Sequence, residues 1–287
     1  MPEMPEVESL AVFLRERCVG RVIARVELTA FSALKTYDPP LSALHGLEID
    51  AVERHGKYLD LSAQGLHLIF HLARAGWLRW RESLPEAPAK PGKGPLALRV
   101  RLDDGSGFDL TEAGTQRKLA VHVVADPNDI AMVATLGPDP LSPEFDEAAL
   151  QAVLTGAGRA QLKGVLKDQR IIAGIGNAYS DEILHAARLS PFKPSSSLTP
   201  EELRVLHDAI RDELGRAIAR AEGLAAKDLK GEKKSGLRVH GRAGQACGVC
   251  GDTIAEVSFA DSSLQYCPTC QTGGKKLADR RLSRLLK

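Results

Sequence analysis

Four cysteines carry the sharpest chemical signal in this chain. Cys247, Cys250, Cys267 and Cys270 form two Cys-x2-Cys pairs separated by 16 residues. Two tight turns, each presenting two thiolates, supply the tetrahedral cage of one structural Zn2+. An all-cysteine set leaves no open coordination position, so the metal serves folding: a module this short cannot bury enough core without it. Dithiol redox exchange is the other use of such a pair, but two pairs in one Gly-rich hairpin module favour the metal. Cys18, the fifth cysteine, falls on an apolar helix face and reads as a small buried hydrophobe. An odd count argues against a disulfide framework.

The first six residues, Met1-Pro-Glu-Met-Pro-Glu6, hold a second kind of chemistry. Removal of Met1 ahead of Pro2 would leave a secondary amine, with the Glu3 carboxyl beside it. The spacing of Val7, Leu10, Ala11, Leu14 and Cys18 predicts a helix with Pro5 at its first position and Gly20 as its stop. The positive end of that helix disfavours a protonated amine, and an amine must lose its proton to attack. Proline and glutamate are also common near termini, so the pair decides nothing alone. Two other places could meet an anion. Gly174-Ile-Gly-Asn177 breaks a helical run and offers backbone N–H groups at a helix start, with Lys163 one helix earlier. The plain alternative is a helical corner with Asn177 as its cap. Lys57, after the hairpin tip Arg54-His-Gly56, sits where a lysine is ordinarily a solvated edge charge.

These residues need elements to position them. Strands are predicted over residues 21–28, 58–61, 66–70, 96–102 and 119–124, with a turn at Asp103-Asp-Gly105. Short strands with Gly-containing turns suggest a sandwich packed against the N-terminal helix. Leu136-Gly-Pro-Asp-Pro-Leu-Ser-Pro143 reads as a linker. Beyond it the pattern is helical over 147–153, 161–167 and 177–184, and a capping box at Thr199-Pro-Glu-Glu202 opens a long helix. Lys227 to Ser235 is polar and Lys-rich and reads as a mobile segment.

At 287 residues with 44% hydrophobic and 26% charged residues, the chain has room for a sizeable core. It shows no membrane-length apolar run and no secretory pattern, which predicts a cytoplasmic protein. The net charge of +1 hides an asymmetry: residues 225–287 carry 12 Lys/Arg against 6 Asp/Glu. A basic C-terminal third fits a polyanion binder, and a solvated basic face accounts for the same count.

In order along the chain come Met1-Pro-Glu-Met-Pro-Glu-Val-Glu8, His55-Gly-Lys57-Tyr-Leu, Asp168-Gln169 and Ile172-Ala-Gly-Ile-Gly-Asn177, Val239-His-Gly-Arg242, and Cys267-Pro-Thr-Cys-Gln271. Together they resemble the formamidopyrimidine-DNA glycosylase/endonuclease VIII family of base-excision repair enzymes over essentially the whole chain. The resemblance implies an α+β fold: a β-sandwich with a helix bearing the N-terminus (1–135), a linker (136–146), a helix–two-turn–helix domain (147–235), a zinc finger (236–272) and a basic tail (273–287). It implies a bifunctional DNA glycosylase/abasic-site lyase, a monomer acting on damaged double-stranded DNA in the bacterial nucleoid. Pro2 would attack C1′ and form a Schiff base, Glu3 would help open the sugar, and Lys57 would hold the phosphate beside the lesion. Lys163 and Asn177 match the family's phosphate grip, and Arg242 lies at the entry to its finger. Arg74 and Lys118 fall where the family fills the gap left by the flipped base.

Four departures bear on substrate and product. Ser262 stands where the family's finger has an arginine, which predicts that beta-elimination is favoured over delta-elimination. Arg74 and Lys118-Leu119 replace a Met, Arg and Phe set, with Leu119 offered as a wedge. A loop histidine is missing, with Lys93 the nearest basic residue, and the segment 227–235 is shorter than the loop that closes over 8-oxoguanine. These changes favour oxidised pyrimidines, ring-opened purines or abasic sites over 8-oxoguanine. A damage-binding protein without base excision is the second reading, supported by Ser262 and opposed by Pro2-Glu3. A zinc-ribbon transcription factor leaves the first six residues unexplained.

Overall fold

The computed structural model describes residues 1–92, 94–114, 116–259 and 262–278. Lys93 and the arginines beyond residue 278 lie outside that set. The chain forms two units, Met1–Leu136 with Ala221–Glu232, and Gly137–Arg220 with Lys233–Lys287.

The first unit is a sandwich of two four-stranded antiparallel sheets. One runs β1-β6-β7-β5, from Ile23–Leu28, Leu96–Leu102, Gly107–Glu112 and Gly76–Arg81. The other runs β2-β3-β4-β8, from Ala51–His55, Tyr58–Ala63, Leu66–His71 and Ala120–Val124. Alternation sends Leu59, Leu61, Phe70 and Val121 inward from one sheet and Leu98, Val100, Phe108 and Leu110 inward from the other. Helix α1 (Met4–Cys18) adds Val7, Leu10, Ala11, Leu14 and Cys18 to the same core. Cys18 is fully buried, and burial pushes its thiol up to about 12, so it behaves as a hydrophobe.

Strands β2, β5 and β7 escape the sequence pattern for physical reasons. β7 is buried at every position because Asp109, on its outer face, is covered by the Arg99 guanidinium in a two-pronged bond of 2.7 and 3.0 Å. β2 and β5 carry Arg and Glu on half-exposed faces that obscure the alternation. The helix boundary also shifts: α1 begins at Met4, with Glu3 as its cap and Pro5 one position further in than expected. A short helix α2 (Ala131–Ala134) follows the last strand of the sandwich.

The second unit contains α3 (Glu147–Ala157), α4 (Leu162–Lys167), α5 (Asn177–Ala186) and most of α6 (Pro200–Ala221). The Thr199 capping box forms, with Glu202 N donating to Thr199 Oγ1 at 3.2 Å and Thr199 N to a Glu202 carboxylate oxygen at 2.9 Å. A hairpin of β9 (Ala255–Ser258) and β10 (Ser263–Tyr266) with α8 (Pro268–Thr272) builds the cysteine module.

The segment expected to be mobile at 227–235 is instead helical, α7 (Leu229–Gly236). Two small anchors explain it. Leu229 and Ala226 bury in the sandwich core, and Trp77 Nε1 donates to Ala226 O at 2.9 Å. Its polar composition conceals one buried residue in the helix, Leu229, and one just before it, Ala226. Among the described residues, no helix is long and apolar enough to cross a membrane.

Candidate functional site

The N-terminus is built as a tight helix start. Pro2 and Glu3 are both buried, and Met1 is 48% exposed. Glu3 caps α1 in a capping box with Glu6, whose carboxylate accepts from Glu3 N at 2.8 Å. Carboxylates at the N-cap (Glu3) and at N3 (Glu6) complement the helix dipole. The helix is then clamped to the sheet below it. Arg15 donates twice to Val52 O, at 3.1 and 2.8 Å, and Arg54 Nε meets Glu8 at 2.6 Å. Arg54 also donates to Gly56 O at 3.1 Å, so one guanidinium ties the first turns of α1 to the hairpin that carries Lys57.

That hairpin has a two-residue loop, Gly56-Lys57, because His55 pairs with Tyr58. Gly56 has φ +57 and Lys57 does not adopt positive φ, the pattern of a II′ turn. Lys57 is 8% exposed, so it is not the solvated edge charge its position suggested. Strand register brings its neighbours in. Tyr58 pairs with His71, and His71 pairs with Ala120, so Lys57, the turn 72–76 and Lys118 share one end of the β2-β3-β4-β8 sheet. Burial first, then the nearby charges of Lys57 and His122, lower the His71 pKa to about 4 and keep the ring neutral. Its Nδ1 accepts from Ala73 N at 3.2 Å.

Arg74 is exposed at the apex of that turn, with Ala73 at φ +53 and Gly76 N bonded to Leu72 O at 2.9 Å. A Cβ on Gly76 would lie 2.1 Å from the same oxygen, so only glycine permits this closure. Lys118 is exposed, and its backbone N–H and that of Leu119 are held by the buried Glu112 carboxylate. Leu119 itself is 1% exposed within the sandwich core. The expectation that Leu119 serves as a wedge is therefore wrong: its side chain is committed to packing, while Gln116, Arg117 and Lys118 before it are exposed.

In the second unit, α5 organises everything around it. Lys163 Nζ donates to Asn177 O, Ser180 Oγ and Asp181 Oδ1 at 2.7, 2.8 and 2.7 Å. An ammonium has three N–H groups. Lys163 thus fixes the start of α5 and does not present its charge to a phosphate in this geometry. Asn177 Nδ2 donates to Ser263 O of the finger hairpin at 2.8 Å, and its Oδ1 is buried without a partner. Glu182 accepts from three consecutive N–H groups, those of Arg238, Val239 and His240, at 2.8 to 2.9 Å. Those bonds shape the chain just before Arg242, whose Nε donates to Leu237 O at 2.6 Å.

The four cysteines converge so that their Sγ atoms all lie within 4.8 Å of one another. Tetrahedral Zn–S bonds of ~2.3 Å place sulfurs about 3.8 Å apart. The Cys250–Cys267 and Cys247–Cys270 separations of 3.3 and 4.0 Å bracket that value. His185, buried on α5, sets Nε2 3.3 Å from Cys247 Sγ, and Cys270 N approaches Cys267 Sγ at 3.5 Å. N–H donors on sulfur are what a cage of thiolates requires. The residues fit one structural zinc.

Sequence reasoning missed Arg54, Glu112, Asp181, Glu182 and His185. The last three had a signal: polar residues at helical positions where a domain of this size expects core. The first two act through long-range contacts that local spacing does not encode.

Three family models cover most of the chain. The formamidopyrimidine-DNA glycosylase N-terminal domain matches residues 1–121, the formamidopyrimidine-DNA glycosylase H2TH domain 136–228, and the zinc finger found in FPG and IleRS 244–273. An uncharacterised formamidopyrimidine-DNA glycosylase-like protein of Mycobacterium tuberculosis is 59% identical over 153 residues, 53% of this chain and 94% of that one. The formamidopyrimidine-DNA glycosylase of Symbiobacterium thermophilum is 38% identical over 98% of this chain and 93% of its own. Among solved structures, the Lactococcus lactis enzyme bound non-covalently to DNA with an AP site superposes with a TM-score of 0.81 at 27% identity, covering 94% of this chain and 99% of that one.

Proposed function

The chain belongs to the formamidopyrimidine-DNA glycosylase family, and from that premise we propose that it excises damaged bases through an amine on Pro2 and then cleaves the strand. It is a DNA glycosylase of DNA repair, it binds DNA, and its four cysteines hold one structural zinc. The zinc fixes the finger's fold and takes no part in the chemistry.

Once Met1 is gone, the Pro2 nitrogen bonds to C1′ of the damaged nucleotide. The C1′–base bond breaks and the base leaves with a proton; the amine then gives up its own proton, and cleavage of the C1′–O4′ ring bond, driven by the nitrogen lone pair, leaves the iminium. Glu3, buried beside it, assists by protonating the ring oxygen. The iminium acidifies the C2′ proton, and its removal expels the 3′ phosphate in a beta-elimination. Lys57 holds the phosphate next to the lesion, and Arg74 and Lys118 enter the space vacated by the flipped base. Asn177 and Arg242 grip the backbone, with Lys163 setting the position of Asn177.

The observation that carries this reading is the N-terminal helix start: Pro2 and Glu3 are buried, capped by Glu6, and anchored through Glu8 and Arg54 to the hairpin of Lys57. A protein that only recognises damage has no use for a free N-terminal proline. The second reading, a binder of damaged or abasic DNA, draws on Ser262, exposed at the finger tip where the family has an arginine. Duplexes carrying single oxidised pyrimidines, ring-opened purines or an abasic site separate the two. Base release with strand scission supports the glycosylase/lyase; tight binding of every duplex with neither product supports the binder.

A further inference from the structure

The first unit holds a cavity of about 690 Å³ that none of the residues assigned above lines. It lies along β5, an edge strand, between the second half of α1 and the segment before α7. Phe13 marks its α1 side, about 15 Å along the helix axis from Glu3. The volume falls in the range of about 300–1,000 Å³ typical of small-molecule sites.

Its lining is unusual in two respects. It gathers Arg17, Arg79, Arg81, Lys227 and Lys230 against a single acid, Glu82. Arg79, Lys227 and Lys230 make no ion pair among the described residues. Arg17 meets Glu16 at 3.2 Å and Arg81 meets Asp109 at 3.9 Å, so the three cations without a carboxylate are the ones suited to an anion. The second respect is aromatic: Trp77 and Trp80, the only two tryptophans in the chain, both line the cavity with Phe13. Trp77 has its N–H bonded to Ala226 O and its face under Lys230 Nζ, 4.5 Å from the ring centroid. Trp80 has its Nε1 buried without a partner, and only Phe13 stands edge-on to its ring, at 5.9 Å.

We propose that this cavity is a nucleotide-binding site, separate from the Pro2 end of α1, that takes one phosphate-bearing base. Arg79 and Lys227 receive the phosphate, and Trp80 receives the base on its ring. A simple anion satisfies the cations alone; an uncharged aromatic satisfies Trp80 alone. A nucleotide, free or at an end of a DNA strand, satisfies both.

Because both tryptophans line the cavity, intrinsic fluorescence reads it directly. Full-length protein at low salt is titrated with deoxyadenosine monophosphate, with a five-residue single-stranded oligothymidylate, and with inorganic phosphate. The expected result is a saturable change with at least one of the first two and at least tenfold weaker binding of phosphate. Tighter binding of the mononucleotide assigns a free nucleotide, and tighter binding of the oligomer assigns a strand end; either supports the site. The R79S/K227S variant, altered only at exposed positions, should weaken binding at least tenfold, whereas Pro2→Gly should leave it unchanged. Absence of any saturable change, equal affinity for phosphate, or undiminished binding by R79S/K227S overturns the proposal. Loss of binding in Pro2→Gly overturns its separateness, and because Pro2→Gly bears on the excision reading by covalent capture alone, the two can fail independently.

Discussion

Arg54 joins Glu8 at 2.6 Å, and through that pair the helix that follows Pro2 is locked to the hairpin that carries Lys57. Arg54 is largely buried and Glu8 partly so, with side-chain exposures of 7% and 24%. Replacing Arg54 by Met leaves the carboxylate without its counter-charge and Gly56 O without its donor. We expect a loss of about 2 kcal/mol in stability. Covalent capture of abasic DNA should fall more than the stability loss alone accounts for at a temperature where both proteins are folded. Unchanged capture would mean that the two elements find their places without the pair.

Lys163 offers a cleaner separation of roles. If it positions Asn177, Lys163→Met destabilises the fold by about 3 kcal/mol by stripping a partner from the buried Asp181, yet the salt dependence of DNA binding keeps its slope. If Lys163 contacts a phosphate, the slope of log affinity against log salt shrinks by about one. Binding isotherms at several salt concentrations distinguish the two, and the first outcome is expected.

The parts of this molecule that sequence makes legible are those with local signatures. The cysteine spacing announces the zinc cage, the apolar periodicity announces α1, and Thr199-Pro-Glu-Glu202 announces α6. What stays hidden depends on contacts far apart in the chain. Lys57 looks solvated until the sheet buries it, and Lys163 looks available until α5 claims its three protons. Leu119 looks like a wedge until its place in the sandwich core is known. α7 illustrates the same limit, since a polar segment becomes ordered through two apolar residues that dock on Trp77's strand.

Ser262 sets the expected product. Exposed at the tip of the β9–β10 hairpin and next to the Ser263 carbonyl that binds Asn177, it brings no charge to the DNA. Wild-type protein should leave mainly the beta-elimination product on a denaturing gel, and Ser262→Arg should raise the beta,delta product severalfold. Complete beta,delta-elimination by the wild type would refute this.

His71 gives the fold a pH dependence of known sign. Its folded pKa of about 4 lies below the ordinary 6.5, so the unfolded chain binds the extra proton between those values. Stability is therefore whole above pH 6.5 and declines as pH falls toward 4, by up to about 3 kcal/mol from this residue. Thermal melts of His71→Asn should show a shallower decline between pH 7 and 5 than wild type; parallel declines would remove His71 as the cause.

The Pro2 amine is the group on which excision and strand cleavage both depend. Borohydride reduction during reaction with a duplex bearing one abasic site should trap a protein–DNA adduct at the N-terminal peptide, and Pro2→Gly should abolish or strongly reduce it. No adduct with wild type, or an adduct undiminished by Pro2→Gly, would contradict the mechanism.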